Sequence, residues 1–158
     1  MSAVRESVPV QFRPMSEADL REILEIERQS YDFPWSAGIF RDCLRVGYPC
    51  WILEGNWRID GYGVMTVAIG EAHLLNLCVR PEARRLGYGR AMLHQLLKVA
   101  LQHHAETAFL EVRPSNEVAR VLYASEGFCE VGYRRAYYPA HQGREDALIL
   151  AKPLQIDQ

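Results

Sequence analysis

Apolar and polar residues follow two rhythms along the chain, alternation by two and recurrence every three to four positions, and the changes of rhythm mark its elements. "VQFRPM" (Val10–Met15) alternates as a first strand. Ser16 is placed to cap the helix that follows, with Asp19 three residues on as a short capping-box partner. Leu20, Ile23 and Leu24 are its buried stripe. "FPWS" breaks the chain, and Ser36 caps a second short helix carrying Ile39, Phe40, Cys43 and Leu44. "CWILEG", "IDGYGVMTVAIG" and "EAHLLNLCV", punctuated by glycine or Asn56, predict an antiparallel meander.

After Val79 the rhythm lengthens. A glycine loop opens a long helix with Leu93, Leu96, Leu97, Ala100 and Leu101 on one face. "TAFLEV" is a short strand, and "SNEVARVLYASEGF" a helix closed by Gly127 as a left-handed cap. Two strands, Glu130–Tyr138 and Ala147–Lys152, end the chain around the turn-rich "PAHQGRED". The order βααβββαβαββ is mixed α/β, and the strand–helix–strand stretch at 74–112 predicts one parallel pair in an otherwise antiparallel sheet.

The 158 residues suffice for one domain, taken as 9–154 with 1–8 as a flexible lead-in. With 49% hydrophobic and 24% charged residues the composition is globular, and a formal charge of −2 argues against a bulk nucleic-acid binder. Cys43, Cys50, Cys78 and Cys129 form no CxxC pair, which favours a reduced cytoplasmic protein over a disulfide framework or a zinc site. The five histidines show no ligand spacing, so no metal is expected. "MSAVRESVPVQF" lacks the apolar core of a signal peptide, and no window approaches the ~18 apolar residues of a membrane span.

The candidate chemistry begins at "RPEARRLGYGRAML" (80–93). A Rossmann fingerprint would put its third glycine at Met92, and a P-loop would need GKS or GKT. The remaining reading is an anion cradle at a helix start: backbone N–H groups from Arg85 to Arg90, the helix dipole, and charge from Arg84, Arg85 and Arg90. Gly87 and Gly89 let an acidic group approach the backbone. An ordinary glycine loop with solvated arginines is the plain alternative.

The pattern R-x-x-G-x-G between an apolar strand and a helix resembles the acetyl-CoA signature of the GNAT acetyltransferases. "FPWS", "LEVRPSNEVARVLYASEGF" and "YYPAHQGREDALIL" narrow the resemblance to the bacterial ribosomal-protein-alanine N-acetyltransferase family, over Val10 to Pro153. It implies a mostly antiparallel sheet whose central parallel pair splays around acetyl-CoA, flanked by about four helices. Leu77, Cys78 and Val79 would bind the pantetheine arm through their backbone, with the Val79 N–H as oxyanion donor. Arg84, Arg85, Leu86, Gly87, Tyr88, Gly89 and Arg90 would bind the pyrophosphate, with the Tyr88 side chain turned outward. Asn116 would be both helix cap and cofactor contact.

Acetylating an amine needs a base, an oxyanion donor and a proton for the departing thiolate. Glu111, on an apolar strand, is the candidate base; a half-exposed strand glutamate is its plain reading. Tyr123, with Val118, Ala119 and Leu122 as expected core neighbours, is the candidate acid; a packed core tyrosine is the commoner fate of such a residue. Cys78 lacks an evident base beside it and reads as buried filler. Tyr31, Phe33 and Trp35 would wall a small first-residue pocket, with Tyr137, Tyr138 and the "GRED" turn closing the opposite side; the plain alternative is that Arg144 pairs with Glu145 or Asp146 and merely holds the turn. The acidic residues Glu17, Asp19, Glu22, Glu25, Glu27 and Asp32 form a possible rim for a cationic peptide, or a solvated helix face.

The leading expectation is thus a monomeric cytoplasmic enzyme that acetylates the N-terminal alanine of a basic small-subunit ribosomal protein, with no nucleic acid or membrane partner. The alternatives are a broader GNAT acting on other N-termini, lysines or small amines, and a non-catalytic CoA-binding module.

Overall fold

The three β-like runs between residues 50 and 79 fold as the expected meander, which forms the middle of a seven-stranded sheet. The structure is a computed structural model describing residues 10–55 and 57–155, so the expectations for 1–8 and for Asn56 fall outside the described residues. In chain order the elements are β1 (Gln11–Pro14), α1 (Leu20–Ser30), α2 (Ala37–Val46), β2 (Cys50–Gly55), β3 (Arg58–Ala68), β4 (Glu71–Val79), α3 (Tyr88–Gln102), β5 (Thr107–Val112), α4 (Glu117–Ser125), β6 (Cys129–Pro139) and β7 (Arg144–Pro153). A 3₁₀ turn at Glu17–Asp19 leads into α1, where the Ser16 N–H donates to the Asp19 carboxylate at 2.8 Å.

Alternation along each strand sends neighbouring side chains to opposite faces and so builds two cores. Leu53 and Met65 join Leu93, Leu96 and Ala100 of α3 on one face. Ile52, Tyr62 and Val64 join Ile23, Ile26 and Phe40 of α1 and α2 on the other. The helix α3 lies directly on β3 because Gly63 has no side chain: a Cβ there would come within 2.8 Å of Leu96 Cδ1.

The sheet order β1-β2-β3-β4-β5-β7-β6 contains one parallel pair, β4 with β5. That pairing runs only from Glu71–Thr107 to Leu74–Leu110. Beyond it β4 stays on β3 as far as Val79, and β5 stays on β7 as far as Val112. The gap between them is therefore a divergence of two well-held strands. Leu75 begins it, as the extra residue of a bulge between Leu74–Met65 and Asn76–Val64.

Three local expectations are corrected. The strand β7 starts at Arg144, three residues before the expected Ala147, because Arg144 donates to the carbonyls of Ala136 (2.7 Å) and Tyr137 (2.9 Å) and holds the strand ends together. Val118 is 85% exposed and is no core neighbour of Tyr123, and Ile39 likewise faces outward. No helix among the described residues is long and apolar enough to cross a membrane.

Candidate active site

The divergence of β4 and β5 opens into a cavity of about 880 Å³. Glu111 and Tyr123 both line it, as do Leu77 and Asn116. Tyr31, Phe33, Trp35 and Tyr138 form its outer wall.

Glu111 lies on the half-buried face of β5, the alternate of Leu110 and Val112. Arg134 of β6 donates to its Oε1 at 2.8 Å. Two other glutamates enter the cavity wall, and each already holds three donors. Glu27 accepts from the Trp35 N–H (2.9 Å), the Tyr62 hydroxyl (2.8 Å) and Asn76 Nδ2 (2.6 Å). Glu145 accepts from the Ser115 N–H (3.0 Å), the Ser115 hydroxyl (3.0 Å) and Arg113 (3.2 Å). Among the described residues Glu111 accepts a single hydrogen bond, so of the three cavity glutamates it has the most accepting capacity to spare, while Asp32, the remaining carboxylate of the wall, sits exposed at the mouth against His141.

Tyr123 packs edge-on against Phe128, ring centroids 5.6 Å apart. Its hydroxyl makes no hydrogen bond among the described residues, and burial pushes its pKa up to about 12. The phenol thus stays protonated and turns an unspent donor toward the cavity.

The backbone of β4 divides its own roles. The Arg80 N–H donates to Asp60 O at 2.7 Å, which makes Val79–Gly61 a non-hydrogen-bonded pair of the antiparallel ladder. By alternation the backbone of Cys78 faces β3, while Leu77 and Val79 face the gap. Side-chain bonds agree: Leu77 O accepts from the Tyr31 hydroxyl at 3.1 Å, and Val79 O from Arg84 Nε at 3.4 Å. The expected backbone role of Cys78 is corrected accordingly. Its thiol is buried in the second core, where desolvation raises its pKa, as befits inert filler.

The glycine loop fits an anionic ligand through its backbone. Arg85 and Gly87 have φ of 66° and 80°, and the Ala91 N–H to Gly87 O bond (3.0 Å) opens α3. The N–H groups of Tyr88, Gly89 and Arg90 are thus left unspent by the helix. The arginines are another matter. Arg80 is spent on Ile59 O (2.7 Å) and Glu22 (3.5 Å). Arg90, expected at the phosphates, is bound through its guanidinium to Glu126 and Ser125, tying the start of α3 to the end of α4. Arg85 makes no ion pair among the described residues. Tyr88 packs half-buried on the main core, contrary to the expected outward side chain, and Leu86 is exposed. Asn116 caps α4 by accepting from the Ala119 N–H at 3.2 Å.

On the acceptor side, Arg113 stacks over Tyr138 (4.4 Å) and lies 5.7 Å from the Phe33 ring. Phe33 also meets His141, which pairs with Asp32 at 3.1 Å. The Tyr31–Trp35 segment thereby touches the β6–β7 turn across the mouth. Arg144 holds that turn through the two carbonyls named above, and Glu145 and Asp146 serve Ser115 and the Ala136 N–H instead.

The acidic rim largely dissolves. Glu17 pairs with Arg41, Asp19 with Arg13, Glu22 with Arg80 and Asp32 with His141, while Glu27 is buried. Asn76 and Arg113 are the site residues that the sequence reading passed over, and Glu27 was read only as part of the acidic rim. A signal existed for Glu27, which follows Leu20, Ile23 and Leu24 at helical spacing and so sits in phase with the apolar stripe. Among the described residues no group of three or more His, Cys, Asp or Glu side chains is placed to hold a metal ion.

A sequence profile of the acetyltransferase (GNAT) family matches residues 17–128. The chain is 38% identical to the [ribosomal protein bS18]-alanine N-acetyltransferase of Escherichia coli over 138 residues, 87% of this chain and 93% of that protein. The crystal structure of the ribosomal-protein-S18-alanine N-acetyltransferase from Escherichia coli superposes with a TM-score of 0.87 at 35% identity, covering 95% of this chain and 97% of that one. The structure of Ard1 from Thermoplasma volcanium shares the fold, with a TM-score of 0.85 at 21% identity over 94% of this chain and all of that one (100%).

Proposed function

Because the chain belongs to the acetyltransferase (GNAT) family, we propose that it moves the acetyl group of acetyl-CoA onto the N-terminal α-amine of ribosomal protein bS18, with Glu111 as base and Tyr123 as proton donor. The enzyme acts as a monomeric single domain, residues 9–154, in the cytoplasm, without nucleic acid or membrane. The 38% identical relative, matched over nearly its whole length, is named for that alanine. One observation carries the catalytic assignment: of three cavity glutamates, Glu27 and Glu145 each hold three donors, and Glu111 holds one.

An α-amine has a reference pKa of ~7.7–8.0 against ~10.4 for lysine, so a lone carboxylate is an adequate base near neutral pH. Glu111 accepts the amine proton, directly or through a water, as the new C–N bond forms. The Leu77 N–H faces both gap and cavity, so it takes the oxyanion role expected of Val79, which lies outside the cavity wall. Tyr123 gives its proton to the sulfur as the C–S bond breaks. Residues 84–90 hold the pyrophosphate by backbone N–H groups, with Arg84 and Arg85 as the cations that no ion pair holds among the described residues, and Leu77, Val79 and Asn116 line the path of the pantetheine arm.

The test is thiol release from acetyl-CoA with a short basic peptide beginning with alanine, beside its N-terminally blocked, lysine-retaining twin. Turnover on the free peptide alone is expected. Equal turnover on the twin would replace this reading with lysine acetylation, and cofactor binding without turnover on either would make the chain a CoA-binding module.

A further inference from the structure

Glu27 is the buried charge of the acceptor side, 1% exposed and set among Leu20, Ile23 and Ile26 on the inner face of α1. An apolar residue would fill that position without the cost of desolvating a carboxylate. What an apolar residue cannot do is gather three donors from three separate elements. Trp35 belongs to the segment before α2, Tyr62 to β3, and Asn76 to the part of β4 beyond the divergence. Asn76 Oδ1 also lies 3.4 Å from the Tyr31 hydroxyl, which donates to Leu77 O. One carboxylate therefore ties the aromatic acceptor wall to the strand whose Leu77 N–H faces the reacting group.

We propose that Glu27 is a positioning residue that sets the size of the acceptor's first-residue pocket, by fixing Trp35 and Asn76 relative to each other. It acts through those two residues and touches neither the amine nor the thioester. The inference rests on the α-amine reading above. It goes beyond that reading in naming what makes the pocket small: a wall held at a fixed distance from β4 by a buried anion.

The test uses the full chain with Glu27→Gln, which keeps the shape but turns one accepting oxygen into a donor facing a donor. Basic peptides beginning with alanine or leucine, otherwise identical, are compared in steady state. The loss of charged hydrogen bonds should raise KM for the alanine peptide about tenfold and shrink the alanine-over-leucine preference in kcat/KM by about the same factor. KM for acetyl-CoA should stay within about twofold, since the cradle lies outside the Glu27 network. Should Glu27→Gln fail to fold, Asn76→Ala removes one partner and should move the preference the same way by about threefold. A preference unchanged in the folded variants overturns the inference, as does a rise of both KM values together, which general loosening would produce. An unmutated enzyme that ignores the free α-amine, or shows no preference for alanine, removes the premise itself and is seen before any variant is made.

Discussion

Glu111 and Tyr123 stand on opposite faces of β5 and open into the same cavity. Tyr123 packs with Leu110 and Val112, whereas Glu111 points to the half-buried face between them. A continuous sheet would keep the two apart. The parting of β4 from β5 after Leu74 and Leu110 joins the two faces. On the proposed reading, Glu111 then meets the amine from one side while Tyr123 meets the sulfur from the other.

Removing either group should therefore lower the rate with little change in cofactor affinity. Glu111→Gln should cut kcat/KM for the alanine peptide by about 10²-fold or more, within the usual range for a general base. Tyr123→Phe should cost about 10- to 100-fold, because a thiolate departs more readily than an amine. Both variants should bind acetyl-CoA with affinity within about threefold of the parent by calorimetry. An unchanged rate for Glu111→Gln would sink its assignment as base.

The buried phenol makes a pH prediction with a definite sign. Tyr123 is lifted from 10.0 to about 12, so its proton is retained wherever an exposed tyrosine would begin to lose it. The rate should rise as the α-amine deprotonates near pH ~8 and then hold level to about pH 10.5. A descending limb centred near 10 would mean an unburied phenol. The same shift predicts stability that is intact below pH 10 and drains away between 10 and about 12, readable by thermal melts.

The element order was readable because periodicity survives in all eleven strands and helices, down to the single parallel pair. What escaped were relations between residues distant in sequence. Arg90 looked free because its partner Glu126 lies 36 residues away, just past the end of another helix. The outward turn of Leu77 and the inward turn of Cys78 depend on ladder parity, which the Arg80–Asp60 bond sets and no strand pattern reveals. Glu27 was counted with the acidic residues around it, although its phase in α1 already placed it inside. Val118 went the other way: α4 buries only a narrow face, and an apolar residue outside it was taken for core.

Two of the three loop arginines, Arg85 and Arg90, should separate in kinetics. Arg85 carries a charge that no ion pair holds among the described residues, so Arg85→Ala should raise KM for acetyl-CoA about three- to tenfold and leave the melting temperature unchanged. Arg90→Ala should barely move that KM. Its guanidinium already serves Glu126, whose carboxylate is held below the usual range by His94 and then by Arg90. The pair is partly exposed, so the stability lost should stay below about 1 kcal/mol. Equal KM effects from the two variants would mean that Arg90 leaves Glu126 for the phosphates.

Two glycines near α3 should fail in opposite ways when given a methyl group. At Gly87 nothing lies within 4 Å, and the obstacle is the backbone, with φ at 80°. Gly87→Ala should cost about 1–2 kcal/mol and shift the loop, raising KM for acetyl-CoA. At Gly63 the backbone is ordinary and the obstacle is space, with Leu96 Cδ1 at 2.8 Å and Met92 at 3.2 Å, both side chains fully buried. Gly63→Ala must displace the buried Leu96 and Met92 side chains, and with them the seat of α3 on the sheet if they cannot repack, at about 1–3 kcal/mol. For a chain of this length that lowers the melting temperature by roughly 2–4 °C per kcal/mol. Because α3 carries the cradle at its first turn, the Gly63 variant should also bind acetyl-CoA more weakly, but in step with its lost stability. The Gly87 variant should lose affinity out of proportion to its melting temperature, and the ratio of the two effects distinguishes a strained cradle from a displaced helix.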